Sequence, residues 1–582
     1  MIRDHFRVLV VDLSTGQKSI ETIDGRDTVA GGSGLAAMLF EKYGSLDKPW
    51  DYPGQPLIFA IGPLTGYFPL MSKTVCAFKS PYHDQYAESH GGGRSALSLR
   101  FADFDALVIK GKAKSGSALI VGSRHIEVKD IQYLWGSDLH VTGKTLRRIF
   151  PGSGHRTILR IGPAGERQSP MACINADTYR HFGRLGGGGV MGSKNLKAIM
   201  IHGDGTFPIP GGEYVKVFEK VHTDMTGTDM MSKYHNLGTP ANVTGLNDIK
   251  SLPIRNLQAT SDPAVAGISG ERFADVALLR NAACAGCPVG CIHIGFVRER
   301  FQEQNRYLYR QISYDFELIF AVGSMLGVMD CFEVLKLIDV AEKMGLDVMS
   351  SGVSLAWATE ALAKGIITTK ETIVPLAFGN SSAYAEALQH LAYGNNEFYR
   401  LLSTGTLNAA ERYGGADFAC VLGQEMAGYA TGKAFFVAQA LGLRHSHLDS
   451  GGYSYDQKNK GENVDDVVKF LVQDEKERCF LTSMVACLFA RGVYKNEVLA
   501  DCLKSVGYTA LADNMDSVAG NIQRLRWRMR VGSGFRPENV SIPKRFNEVT
   551  TRRGPVDKES IEALKAAYGK RILELAKPET VI

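Results

Sequence analysis

Three cysteines stand in one short, turn-rich run, Ala283-Cys284-Ala285-Gly286-Cys287-Pro288-Val289-Gly290-Cys291, with C-x2-C-x3-C spacing. Thiolates this close can hold a soft metal centre, and the two glycines let backbone amides approach the sulfurs. A fourth ligand has to come from elsewhere in the chain. On spacing alone zinc and iron–sulfur chemistry are both open, because four cysteines serve either. The order is the reverse of the C-x3-C-x2-C usual for radical-SAM sites, which argues against that chemistry. Three buried structural thiols are the plainer alternative, disfavoured because such groups in a reduced compartment are more often metal sites.

The chain around this run has 582 residues, 45% hydrophobic and 22% charged, which is ordinary for a soluble globular enzyme of two to four domains. A formal charge of +5 with interspersed signs gives no case for nucleic acid or a membrane surface, and only a slight bias towards an acidic redox partner. No apolar run approaches ~18 residues, and Met1 to Leu13 alternates as a strand rather than showing a signal-peptide core, so a cytoplasmic location is expected. The other seven of the ten cysteines are scattered, which argues against a disulfide framework and leaves several candidates for the fourth ligand.

Short β-rich runs fill the first third, at Phe6–Leu13, Leu57–Ile61, Thr74–Lys79, Ala106–Lys110, Ala118–Val121, Thr157–Ile161 and Ala198–His202. Between them lie Gly31-Gly32-Ser33-Gly34, Gly62-Pro63-Leu64-Thr65-Gly66, Gly91-Gly92-Gly93, Gly162-Pro163-Ala164-Gly165 and Gly186-Gly187-Gly188-Gly189. None fits a Rossmann fingerprint or a Walker loop. Glycine loops spread over a β scaffold suit a large phosphate-bearing ligand gripped by backbone N–H groups; taken singly, each loop equally suits a tight turn.

VDLSTG, GGSGLA (Gly31 to Ala36), IFAIGPLTG (Ile58 to Gly66), KSP (Lys79 to Pro81), IGPAGE (Ile161 to Glu166) and VMGSKNLKAI (Val190 to Ile199) follow one another in an order that resembles the tungsten-dependent aldehyde:ferredoxin oxidoreductase family. The resemblance covers essentially the whole chain. It implies an α+β protein: a β-rich pterin-binding domain over 1–206, a helical domain carrying the cysteine triplet over 207–420, and a second helical domain over 421–582. It also implies a tungsten bis-pterin, a [4Fe-4S] cluster on Cys284, Cys287 and Cys291, and Mg2+ bridging the pterin phosphates. In the family, loops matching Ala87–Gly93 and Gly183–Gly189 grip pterin and, through backbone carbonyls, the magnesium; here those positions are His90, Gly92, Arg184 and Leu185. Two departures show: Lys73 where arginine is usual, losing a bidentate fork, and His90 where asparagine is usual.

Further along, Glu317 heads an almost wholly apolar stretch, where a carboxylate is costly unless paired or functional; a solvated helix-start acid is the bland alternative. The resemblance places a catalytic glutamate there and a catalytic histidine at His447. Phe332–Met344 reads as a helix stopped by Gly345, with Ser351 able to cap the next. Glu342-Lys343-Met344-Gly345-Leu346-Asp347 resembles the family's D-x-x-G-L-D pterin motif, so Glu342, Gly345, Leu346 and Asp347 are expected at the cofactor. Asp449 stands where the family has a basic residue. For the fourth cluster ligand Cys487 is chosen over Cys479, although Thr482 replaces that motif's aspartate.

The resulting expectation is oxidation of a small aldehyde to its carboxylic acid, with Glu317 as general base, His447 polarising or reprotonating, and electrons leaving to ferredoxin or an iron–sulfur subunit. A homodimer is the assembly entertained. The rivals are reduction of an aromatic acyl-CoA by a related catalytic subunit and, from a different class, a non-catalytic four-cysteine metal or electron-transfer scaffold.

Overall fold

The computed structural model describes residues 3–578 apart from 153, 303–305, 459, 460 and 462. The N-terminal 200 residues form two six-stranded sheets. The first runs, in spatial order, Lys18–Ile23, Phe6–Asp12, Ala106–Lys110, Leu57–Ala60, Thr74–Lys79 and Tyr86–Gly91; the second runs Arg180–Phe182, Ile174–Ala176, His155–Arg160, Leu196–Gly203, Ser117–Val121 and Ile126–Asp130. Pairing is mostly antiparallel, with Phe6–Asp12 parallel to Ala106–Lys110 and Leu196–Gly203 parallel to Ser117–Val121.

Period-2 side-chain alternation explains why the first sheet reads as continuous apolar runs. Leu9, Val11, Leu57, Phe59, Leu107 and Ile109 face the second sheet, packing with Leu119, Val121, Leu159, Ile199 and Ile201. Their neighbours Val8, Val10, Ile58, Ala60, Ala106 and Val108 face the opposite way and join the core of the helical region. A sheet buried on both faces is therefore the wall that carries one side of the site.

From Gly212 onward the chain is mainly helical, interrupted by the antiparallel strands Leu278–Ala282, Ile292–Gln302 and Arg306–Tyr314. Three aspartates start the helices that matter here: Asp315 caps Phe316–Val322, Asp330 caps Cys331–Met344 and Asp347 caps Val348–Ala363, each accepting backbone N–H groups. Gly345 stops the second in the left-handed conformation at φ 74°. Ser351, expected to cap the third, lies one turn inside it and is buried; Asp347, immediately before the first turn, has its carboxylate where the first free N–H groups point and accepts that of Met349. The apolar run after Glu317 breaks into Phe316–Leu326 and Cys331–Met344, bent by 110°, and no single helix among the described residues is long and apolar enough to cross a membrane. The apolar core is continuous across position 420.

The glycine loops meet chain rather than empty space. A methyl group added at Gly32 would lie 2.4 Å from the Thr482 carbonyl oxygen, and one at Gly62 would lie 2.5 Å from that of Met484. Both contacts seal the β-rich region against the segment that leads into Cys487. Turn-forming and ligand-gripping glycines were the two readings open from sequence; close approach of two distant backbones is the third, and it governs these two loops.

Candidate active site

The cysteine run connects Leu278–Ala282 to Ile292–Gln302, and its conformation is set by contacts with the β-rich region. Gly93 N–H donates to Cys284 Sγ at 3.2 Å, and Ala285 N–H donates to the Gly93 carbonyl at 2.9 Å. Gly92 has to be glycine, since a methyl there would stand 2.9 Å from Cys284 Sγ. Leu70 ties the two cysteine segments together: its N–H donates to the Gly286 carbonyl at 3.2 Å, and its carbonyl accepts from Cys487 N–H at 2.9 Å. Leu70 and Val485 both hold positive φ, 60° and 54°, which marks this junction as a place where surrounding structure overrides backbone preference.

Cys284, Cys287, Cys291 and Cys487 consequently line one 610 Å³ chamber. Among the described residues no three Cys, His, Asp or Glu side chains converge closely enough to hold a single ion, so the four thiols surround a space rather than a point. Cys479 does not line this chamber. It is buried one helix away, accepting a hydrogen bond from Arg526 Nη1 at 3.0 Å. Burial pushes the Cys287 thiol up to about 12 and that of Cys291 to about 11. Burial acts on Cys284 in the same sense, but the charges of Arg180 and Lys73 and the Gly93 N–H outweigh it and lower its pKa.

A second chamber of 280 Å³ adjoins the first and shares Lys73, His90, Arg180, Glu317, Arg444 and His447 with it. Gly92, Arg184, Leu185, Glu342, Leu346 and Asp347 also line it. Gly345 does not; it packs its backbone against Gly162 and accepts from Cys173 N–H, fixing the loop from behind. His90 turns its ring to Glu88, with Nε2 at 2.9 Å from Oε2, and joins a buried group in which Arg526 pairs with the same carboxylate. Arg184 donates to the Glu425 carbonyl and stands 3.6 Å from Asp347. The Leu185 carbonyl accepts from Ser80 Oγ at 2.7 Å.

Glu317 and His447 meet across the shared wall, with Oε1 at 3.3 Å from Nε2. Glu317 Oε2 accepts from Gly428 N–H at 3.2 Å. Glu317 Oε1 and His447 Nδ1 are buried without a hydrogen-bond partner, as are Nε of Arg180 and Nε of Arg184. Orphaned polar atoms around one cavity are costly unless something polar occupies it. Burial raises the Glu317 pKa to about 8, and burial with the nearby Arg184, Arg478 and Arg444 charges lowers that of His447 to about 3. A neutral imidazole therefore faces a carboxyl that exchanges its proton close to neutral pH. Burial also raises Glu342 to about 8, with the Asp339 charge adding to it.

Sequence reasoning missed Arg180, Tyr429 and Arg444. Arg180 carries no local motif. Arg444 stands next to the histidines but was unassigned, and the structure shows why Asp449 matters: it is buried, pairs with Arg444 Nε at 2.6 Å and accepts two backbone N–H groups of the same loop. The acid at 449 does not line either chamber; it aims the arginine that does.

Residues 8–203 match the family described as "Aldehyde ferredoxin oxidoreductase, N-terminal domain", and residues 216–572 match "Aldehyde ferredoxin oxidoreductase, domains 2 & 3". The tungsten-containing aldehyde ferredoxin oxidoreductases of Pyrococcus furiosus and Thermococcus kodakarensis are 29% and 27% identical over 577 and 578 residues, covering 94% of this chain and 92% of each relative. The aliphatic sulfonate oxidoreductase, WOR-like subunit, of Pyrococcus furiosus is 28% identical over 427 residues, 69% of this chain and 66% of that one. The active site complex BamBC of benzoyl coenzyme A reductase, solved with 1,5-dienoyl-CoA, shares the fold with a TM-score of 0.80 over 98% of this chain and 95% of its own, at 18% identity. With both halves matched and the two chambers in place, the chain belongs to the aldehyde ferredoxin oxidoreductase family and is an oxidoreductase.

Proposed function

We propose that this protein is a tungsten bis-pterin enzyme that oxidises an aldehyde to its carboxylic acid and passes the electrons through a [4Fe-4S] cluster to ferredoxin or a partner subunit. The observation that carries the reading is the joined pair of chambers, one walled by four thiols and the other by Glu317, His447 and the buried or half-buried cationic side chains of Lys73, Arg180, Arg184 and Arg444. The donor set fits these groups. Four thiols spread around a space suit a multi-atom cluster, on Cys284, Cys287, Cys291 and Cys487. Lys73, Arg184 and Arg444 suit pterin phosphates, and the backbone of the loops around His90, Gly92 and Leu185 suits the accompanying Mg2+.

When bound, the metal centre would accept two electrons from the substrate and the cluster would pass them on singly. Addition of water to an aldehyde and loss of two electrons and two protons gives the acid. Glu317, as carboxylate, takes a proton from the attacking water or the hydrated substrate, with Gly428 N–H holding its other oxygen in place. His447 stays neutral and presents a nitrogen to the substrate oxygen. Tyr429, its ring centroid 5.1 Å from that of His447 and tilted by 38°, and Phe316 close the pocket against bulk water.

Elemental analysis of anaerobically purified, pterin-loaded protein tests the reading: tungsten with about four irons per chain is expected. Zinc in place of iron, or neither tungsten nor molybdenum, would overturn it. With the metal in place, aldehydes should reduce a viologen dye; a dye response to aromatic acyl-CoA couples alone would move the assignment to ring reduction.

A further inference from the structure

The surface beside the cysteine run carries a second feature that the active site does not use. Five arginines from five different elements converge on a 390 Å³ cleft: Arg94 before the helix Ser95–Phe101, Arg147 at the end of Leu139–Ile149, Arg156 and Arg180 on strands of the second sheet, and Arg280 on Leu278–Ala282. Arg180 is the innermost and turns to the cysteines, with Nη2 at 3.8 Å from Cys291 Sγ. Among the described residues the other four form no ion pair with a carboxylate. Arg156 donates to the Phe150 carbonyl, and Arg280 donates to Tyr179 OH and Gln311. The cleft's single acid, Asp177, accepts Ile158 N–H at 3.1 Å through Oδ1, while its Oδ2 is buried without a hydrogen-bond partner, and among the described residues it forms no ion pair with these arginines. Scattered surface arginines need no explanation; gathering four from distant parts of the chain around one partly buried acid works against their mutual repulsion and leaves a net, focused positive field.

The position of the cleft says what it is for. Ala283 and Gly93 line it, so its floor adjoins Cys284 and the amide that donates to that sulfur. On the other side of the same loop lies a 510 Å³ cleft containing Cys284 to Pro288, walled by Tyr67, Phe68, Leu97 and Phe218, with His222 its one basic side chain. The loop thus forms a crest, with Ala283 and Gly286 exposed, between a basic cleft and an apolar one. A small anion would use only the first. A protein presenting acidic side chains beside an apolar patch uses both and centres on the crest.

We propose that this crest is the docking face for an acidic iron–sulfur electron carrier, with Arg94, Arg147, Arg156 and Arg280 steering it and the aromatic cleft seating it. The inference rests on the proposed exit of electrons through the Cys284 centre. One electron passes from that reduced centre to the oxidised cluster of the carrier, with no bond made or broken.

The test uses cofactor-loaded enzyme carrying Arg94→Glu with Arg147→Glu, and the control pair Arg94→Lys with Arg147→Lys. Each is reduced stoichiometrically with titanium(III) citrate and mixed with an oxidised acidic two-[4Fe-4S] ferredoxin or with benzyl viologen, and binding of the oxidised ferredoxin is measured separately. Charge reversal should lower the second-order rate and the affinity for ferredoxin roughly tenfold at low ionic strength, with the difference fading in high salt. The lysine pair should behave as wild type, and viologen reduction should be unchanged in all three. Equal ferredoxin binding and rates in the wild-type and reversed proteins at low ionic strength would overturn the docking face. Failure of the wild-type enzyme to reduce viologen would count against the proposed electron exit instead, and the binding comparison would still decide the face.

Discussion

Glu317 is the residue on which the proposed chemistry turns. Its folded pKa is near 8 because burial penalises the charged carboxylate more than the Gly428 N–H favours it. A base must be deprotonated to act, so kcat/KM should rise with pH through an apparent pKa close to 8 and flatten above it. A profile already flat from pH 6 would mean that another group limits the reaction. Glu317→Gln keeps the shape and the Gly428 contact but cannot take a proton, and should lower kcat by roughly 10²-fold or more while tungsten and iron contents stay at wild-type levels. Loss of both metals would show that Glu317 holds the site together instead. The same scale separates the two candidate cluster ligands. Cys487→Ser should remove the cluster's iron and visible absorbance, whereas Cys479→Ser should leave them, because Cys479 lies under Arg526 and away from the chamber. The reverse result would exchange their roles.

At the scale of elements, the site is made at a seam. The segment Thr482 to Cys487 reaches the chamber by pressing its backbone against Gly32 and Gly62, and Leu70 then holds Cys487 and Gly286 from one residue. Gly62→Ala should cost about 1–3 kcal/mol in denaturant unfolding, because the neighbour is carbonyl backbone that cannot swing aside. It should also lower cluster occupancy by displacing Cys487; wild-type stability and iron content together would show that the seam yields. This seam explains what could be read from sequence. The strand runs stood out because alternation and turn residues are local signals, and Thr74–Lys79 and Ala106–Lys110 have the expected bounds. The helix Cys331–Met344 and its Gly345 stop were equally local. Arg180 beside the cysteines and Arg526 over Cys479 were invisible, since each is brought to its partner by the fold across 111 residues in the first case and 47 in the second. Asp347 shows the intermediate case: a family motif drew attention to it, but its local work is capping Val348–Ala363, a position that one-turn ambiguity assigned to Ser351.

Across the whole molecule, the buried titratable groups pull in two directions on either side of pH 6.5. Burial lowers His83, His181 and His447 to about 3 and His90 to about 4, so in this range the unfolded chain binds protons there that the folded protein refuses. Taken alone, these histidines make stability rise with pH up to their ordinary value near 6.5. Burial raises Asp456 to about 6, Glu475 to about 7 and Glu317 and Glu342 to about 8, so above the ordinary carboxyl values the folded protein holds protons that the unfolded chain has released; this contribution falls as pH rises to those values and largely cancels that of the histidines below pH 6.5. Lys194, lowered to about 7 by burial, acts in the opposite sense above that pH and softens the decline. Each uncompensated proton is worth about 1.4 kcal/mol per pH unit, and with Lys194 and the last of the unfolded-state histidine protons offsetting part of the carboxyl effect the net fall from pH 6.5 to 8 is on the order of 1 kcal/mol for cofactor-free protein. Denaturant unfolding of that form should show little change between pH 5 and 6 and a midpoint that moves to lower denaturant by pH 8. The double substitution Glu317→Gln and Glu342→Gln should flatten the alkaline side, since it removes the two protons that are held longest. A midpoint that rises from pH 6.5 to 8 would mean that these carboxyls are ionised in the folded protein, and with that the raised pKa on which the base role of Glu317 near neutral pH depends would fall as well.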